Sequence, residues 1–123
     1  MATIYTQVGE GKVVDLIDGV SAVHLDATNA KIGWGTGAGV AAKADTALFV
    51  EAAEARVAAT VTQPTADKNQ WVGTLTAAAA QTITNAGLFD ALTLGILVIH
   101  GDFTGIALAI GDKIEFTISL EQT

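Results

Sequence analysis

The sequence predicts a mainly β fold, an antiparallel β-sandwich of jelly-roll character with one or two short helices, spanning residues 1–123 as a single domain. Three observations predict it. Strand-like segments recur roughly every 10 to 15 residues, separated by turn residues, as in sandwiches and barrels. Lys113 to Glu121 alternates strictly, with Ile114, Phe116, Ile118 and Leu120 on the face that should point inward. Ile96-Leu97-Val98-Ile99 is a continuous apolar run, which suits a strand buried on both sides or lodged in an interface.

Taken in order, Ala2 to Val8 has the character of a short strand or extended arm, interrupted by Gly9 and Gly11. Val13, Leu16 and Ile17 fall at helical spacing, so Lys12 to Gly19 reads as a short helix stopped by its glycine. Ser21 to Asp26 alternates loosely, and Ala30 to Trp34 reads as a strand entering the glycine-rich loop Gly35 to Gly39. Asp45 or Thr46 is placed to cap a second helix of about two turns through Leu48, Phe49 and Ala52. Val57, Ala59 and Val61 share a strand face, the only proline sits in the loop Gln63 to Asn69, and Gln70 to Ala77 supplies the hairpin partner. Ala77 to Ala80 is a strand end and turn, because four alanines are too few for a stable helix. Gln81 to Phe89 is rich in β-formers, Asp90 to Gly95 connects, and Gly101-Asp102 and Gly111-Asp112 mark turns.

Composition excludes whole classes of function. A chain of 123 residues has room for one core, since folding at this size hides roughly two-thirds of the extended chain's surface. The balance of 6 basic against 13 acidic residues, net charge -7, repels phosphates, which argues against direct nucleic-acid binding and against anionic membrane surfaces. Without cysteine there are no disulfides or thiolate metal sites. No basic-then-apolar leader opens the chain, and the longest uncharged run, Asn69 to Phe89, carries eight Asn, Gln and Thr residues, too polar to cross a bilayer. Only 15% of residues are charged, against about 25% in ordinary soluble domains, so either a partner covers part of the exterior or alanine inflates the apolar count.

No constellation of side chains stands out as catalytic. Gly33-Trp34-Gly35-Thr36-Gly37-Ala38 satisfies the G-x-G-x-x-A spacing of a dinucleotide loop, but more glycine follows where a helix should open, and the downstream chain is hairpin-like. A loop that uses glycine for tight packing is the better reading. His24 and His100 are isolated among apolar neighbours, and Asp26 and Asp102, each two residues further on, share a strand face with them at a spacing too common to signify. The thirteen carboxylates are dispersed and form no calcium loop. Glu51, Glu54 and Arg56 are the one local cluster: Arg56 is placed to bridge to either glutamate or to grip a partner's carboxylate bidentately, an intrachain pair being the commoner outcome.

Trp34-Gly35-Thr36-Gly37, Asp45-Thr46-Ala47-Leu48, Glu51 with Glu54-Ala55-Arg56, Thr82 to Asp90 and Gly111-Asp112-Lys113-Ile114 together resemble small tailed-phage virion proteins, in particular head decoration (cement) proteins with a jelly-roll-like β-sandwich. Similar segments occur in tail-associated structural proteins. The resemblance runs from Ile32 onward and contains no catalytic motif. It implies a non-enzymatic protein without catalytic, cofactor-binding or metal-binding residues, on the outer surface of the phage head. Its expected partners are the major capsid protein, whose capsomers it would bridge, and further copies of itself as a dimer or trimer. A tail or tail-fibre component is the alternative. A carbohydrate-binding sandwich would need an exposed aromatic platform, for which Trp34, Trp71 and Tyr5 are the candidates, and a small enzyme ranks last.

Overall fold

The structure, a computed structural model, describes residues 2–20 and 23–122. It contains β1 (Ala2–Tyr5), α1 (Gln7–Asp18), β2 (Lys31–Gly35), β3 (Val57–Ala58), β4 (Thr60–Thr65), β5 (Lys68–Thr76), β6 (Gln81–Phe89), β7 (Leu97–Leu108) and β8 (Lys113–Glu121). Two antiparallel sheets form, one of five strands in the order β1-β7-β6-β2-β3 and one of three in the order β4-β5-β8. The antiparallel β architecture expected from sequence is present, while this strand order does not show jelly-roll connectivity.

The core lies between the sheets. Ile32 and Trp34 from β2, Ile83 and Leu88 from β6, and Val98 and Ile99 from β7 share one buried cluster with Trp71 and Leu75 from β5. Glycines let the sheets approach: a Cβ on Gly73 would stand 3.1 Å from Val57 and 3.2 Å from Ile32. The alternation of β8 is as the sequence predicts, with Ile114, Phe116, Ile118 and Leu120 packed on the core, but all four are only half-buried. β8 is an edge strand paired on one side only, with β5, over nine residues from Thr76↔Lys113 to Lys68↔Glu121.

The outer face of the five-stranded sheet is covered as well, which is why Leu97 to His100 are all buried. Helix α1 lies there. Thr6 caps it by accepting from Gly9 N–H, and the same hydroxyl donates to Leu97 O at 2.5 Å, tying the helix start to β7. The helix begins five residues before the predicted Lys12 and contains both glycines that looked like interruptions. Gly9 is required there, since a Cβ would sit 2.5 Å from Val98 O, and close approach to β7 outweighs the poor helix propensity of glycine. Gly19, at φ 75, ends the helix in the left-handed region as predicted. On the inner side of α1, buried Lys12 pairs with Asp90 at 3.0 Å, fastening the helix to the β6–β7 connection.

Three local expectations are overturned. No helix forms at 45–52, because the Asp45 carboxylate accepts from Ala42 N–H and contacts His100 instead of capping a turn ahead of it. Gly101-Asp102 is not a turn but the middle of twelve-residue β7, where Gly101 pairs with Ala86 and Asp102 with Asn85. The loop predicted over Gln63 to Asn69 narrows to the two residues between β4 and β5. Of the loose alternation read at Ser21 to Asp26, Ser21 and Ala22 lie outside the described residues and Val23 to Asp26 form no strand.

Candidate functional site

Between β2 and β3 the chain makes a long excursion, residues 36–56, across the outer face of the five-stranded sheet. Few apolar side chains hold it; Leu48 alone joins Phe89 and Leu97 in a small second cluster. Main-chain bonds from Ala52 N–H to Trp34 O and from Gln7 N–H to Lys43 O hold it at two points, and polar side chains from the sheet hold it at others. Asn85 accepts from Phe49 N–H and donates to Phe49 O, both at 3.0 Å, engaging that peptide as a neighbouring strand would. Thr84 donates to Gly37 O, and Asp102 accepts from Ala41 N–H at 2.9 Å.

His100 completes this set. Its side chain is 0% exposed, with Nδ1 2.7 Å from Asp45 and Nε2 3.0 Å from Asn85 Oδ1, and the ring packs on Phe49 at 4.7 Å. Because Asn85 is oriented by both polar atoms of Phe49, its Oδ1 is an acceptor, so Nε2 donates. A ring sealed this way has no face for a substrate; it fastens the excursion to β7. The two histidines are not brought into one site: His24 is exposed, and Asp26 spends its carboxylate on the N–H groups of Thr28 and Asn29.

The cluster Glu51, Glu54 and Arg56 divides into two arrangements. Arg56 is 9% exposed and grips Glu51 bidentately, Nε to Oε2 at 2.8 Å and Nη2 to Oε1 at 2.9 Å. Its Nη1 donates to Ala91 O at 3.0 Å and Leu94 O at 2.7 Å, and the guanidinium lies 3.4 Å from the centroid of the Phe89 ring. One cation thus joins the end of the 36–56 excursion to the β6–β7 connection. Glu54 turns away, accepting from Trp34 Nε1, Ala78 N–H and Gln81 Nε2. Burial pushes its carboxyl upward, but these hydrogen bonds and one from its own N–H outweigh that and hold it below the usual carboxylate range.

Both non-glycine residues with positive φ among the described residues flank the Arg56 clamp: Val50 at φ 52, next to Glu51, and Leu94 at φ 53, whose carbonyl Arg56 binds. A β-branched residue in this region is strained and persists only where its surroundings dictate it. Both side chains face solvent, Val50 at 67% and Leu94 at 87% exposure, so a buried cation holds two apolar side chains outward. Nothing in the sequence signals the two strained turns, because neither position carries glycine.

The Gly33 to Ala38 segment runs from β2 into the excursion with no helix after it, and its glycines serve packing: a Cβ on Gly35 would lie 2.6 Å from Phe49 O. Trp34 and Trp71 are buried core residues, so neither forms an aromatic platform. Among the described residues no group of three or more His, Asp or Glu is placed to hold a metal ion, and no helix is long and apolar enough to cross a membrane. Comparison with protein-family models, with curated proteins and with solved structures finds no match to this chain.

Proposed function

We propose that this protein is a structural component of a phage virion, a decoration protein that binds the outer surface of the major capsid protein lattice and stabilises the head by bridging capsomers. The reading starts from the sequence resemblance. The observation that supports it best is the Arg56 clamp, beside which the apolar side chains of Val50 and Leu94 are turned out to solvent before any partner arrives. A preorganised contact loses little conformational freedom on binding, which suits a protein repeated over a lattice where each copy contributes a modest contact. Binding only the assembled shell stabilises that state by mass action and leaves assembly to the capsid protein. Of the three aromatic candidates for a sugar-binding platform, Trp34 and Trp71 are buried and Tyr5 is half-buried with Lys43 Nζ 5.9 Å from its ring centroid, which does not favour that role.

Density for this chain in intact particles is the test. Many symmetric copies over the shell, and heads lacking the protein that break at lower temperature, are the expected results. A few copies confined to the tail or its fibres would replace this reading with the tail-component one.

A further inference from the structure

Three of the four sheet edges are blunted. β1 has four residues, β3 has two, and β4 carries Pro64 and a register irregularity between Thr62 and Thr65. The fourth, β8, is nine residues long, contains no proline and pairs with β5 without a register shift. Such an edge is a template for another strand.

Hydrogen bonds at its two ends fix which peptide groups face outward. Gln122 N–H donates to Asp67 O and Ala77 N–H to Asp112 O, so even-numbered residues of β8 turn their peptides toward β5. The N–H and C=O groups of residues 113, 115, 117, 119 and 121 therefore point away from it, along about 30 Å of edge.

We propose that β8 pairs antiparallel with β8 of a second copy, centred on Thr117, to make a continuous six-stranded sheet. The row of outward side chains, Lys113, Glu115, Thr117, Ser119 and Glu121, selects partner and register. Centred on Thr117, Lys113 of each copy faces Glu121 of the other, Glu115 faces Ser119, and no like charges meet. Shifting the centre to Ile118 sets Glu115 against Glu121 twice, and shifting it to Phe116 loses both ion pairs. Shifts by one residue in pairing would put the apolar face against the polar one. In the Thr117 register Ile114 meets Leu120 and Phe116 meets Ile118, extending the half-buried apolar row. Beside this edge lies a cavity of about 150 Å³ between β8 and Thr3, Ile99, Gly101 and Phe103, which the neighbour's apolar side chains would cover. The proposal deepens the self-association expected from sequence and rests on it.

Sedimentation of the full chain over a wide concentration range tests it, with K113E, the double variant K113E/E121K and T117P. The wild type should show a concentration-dependent dimer. K113E should weaken it at least tenfold, and K113E/E121K should restore part of that loss, because the ion pairs re-form with signs exchanged while the lysine introduced by E121K then faces Lys68 within each chain. T117P removes an outward N–H that no intrachain ladder uses, so it should keep the wild-type circular dichroism and be monomeric. Dimers that persist unchanged in K113E and T117P would refute the β8 edge while leaving self-association intact. A wild type that stays monomeric at millimolar concentration would refute both, whereas the virion reading stands or falls separately on particle density.

Discussion

Replacing Arg56 with alanine should destabilise the protein more than its place in an irregular segment suggests, because its side chain is buried. The carbonyls of Ala91 and Leu94 each lose a charged donor, worth about 1 kcal/mol apiece once water replaces it. The Glu51 pair contributes no more than about 1 kcal/mol, because the glutamate is 36% exposed and recovers hydration. Lost contact of the guanidinium with Phe89 adds about 1 kcal/mol. A total near 4 kcal/mol corresponds to a fall in Tm of about 15 °C for a chain of this length. Arg56→Lys keeps the charge but not the fork, and should recover less than half of the loss. The exposed Lys43–Glu10 pair is the internal control: Lys43→Ala should shift stability by less than about 0.5 kcal/mol. Thermal and urea unfolding measure all three. If Arg56→Ala melts within about 3 °C of the wild type, the clamp does not hold the two strained turns and the reasoning fails.

Three further substitutions probe other positions. Glu54, held below the ordinary carboxylate range, contributes stability that is present above its unfolded pKa and is lost as pH falls through the lower folded value. Glu54→Gln should therefore weaken the protein at neutral pH and flatten the acid limb of its stability curve, and an unchanged slope between pH 5 and pH 2 would contradict this. In α1 two glycines should respond with opposite sign. Gly9→Ala forces a methyl into Val98 and should cost about 1–3 kcal/mol, whereas Gly11→Ala meets nothing within 4 Å and should gain about 0.5–1 kcal/mol in urea unfolding.

What the sequence disclosed, and what it concealed, follows from the range of the interactions involved. Strands β2, β6 and β8 were legible because period-two alternation and β-branched runs are local and their burial is one-sided or complete. The Arg56–Glu51 pair was legible because its members are five residues apart. The partners of His100 were not: Asp45 lies 55 residues away on a segment with no regular structure. Asp45 and Asp102 read as a cap and a turn because those are the usual local uses of aspartate, whereas here each accepts a backbone N–H within the excursion, from Ala42 and Ala41. Gly9 read as a break because propensity is local, whereas its close approach to Val98 is set by tertiary packing.

The polar anchoring of residues 36–56 bears on how the molecule breathes. An irregular segment usually opens on its own, at a small fraction of the global unfolding free energy. Here the amides of Ala41 and Phe49 donate to side chains rooted in β7 and β6, and the sealed His100 ring lies against Phe49. Releasing either amide removes one hydrogen bond from a buried polar side chain of the sheet, Asp102 or Asn85. The amide protons of Ala41 and Phe49 should therefore exchange with solvent more slowly than those of an ordinary irregular segment, closer to the rate of the sheet beneath them.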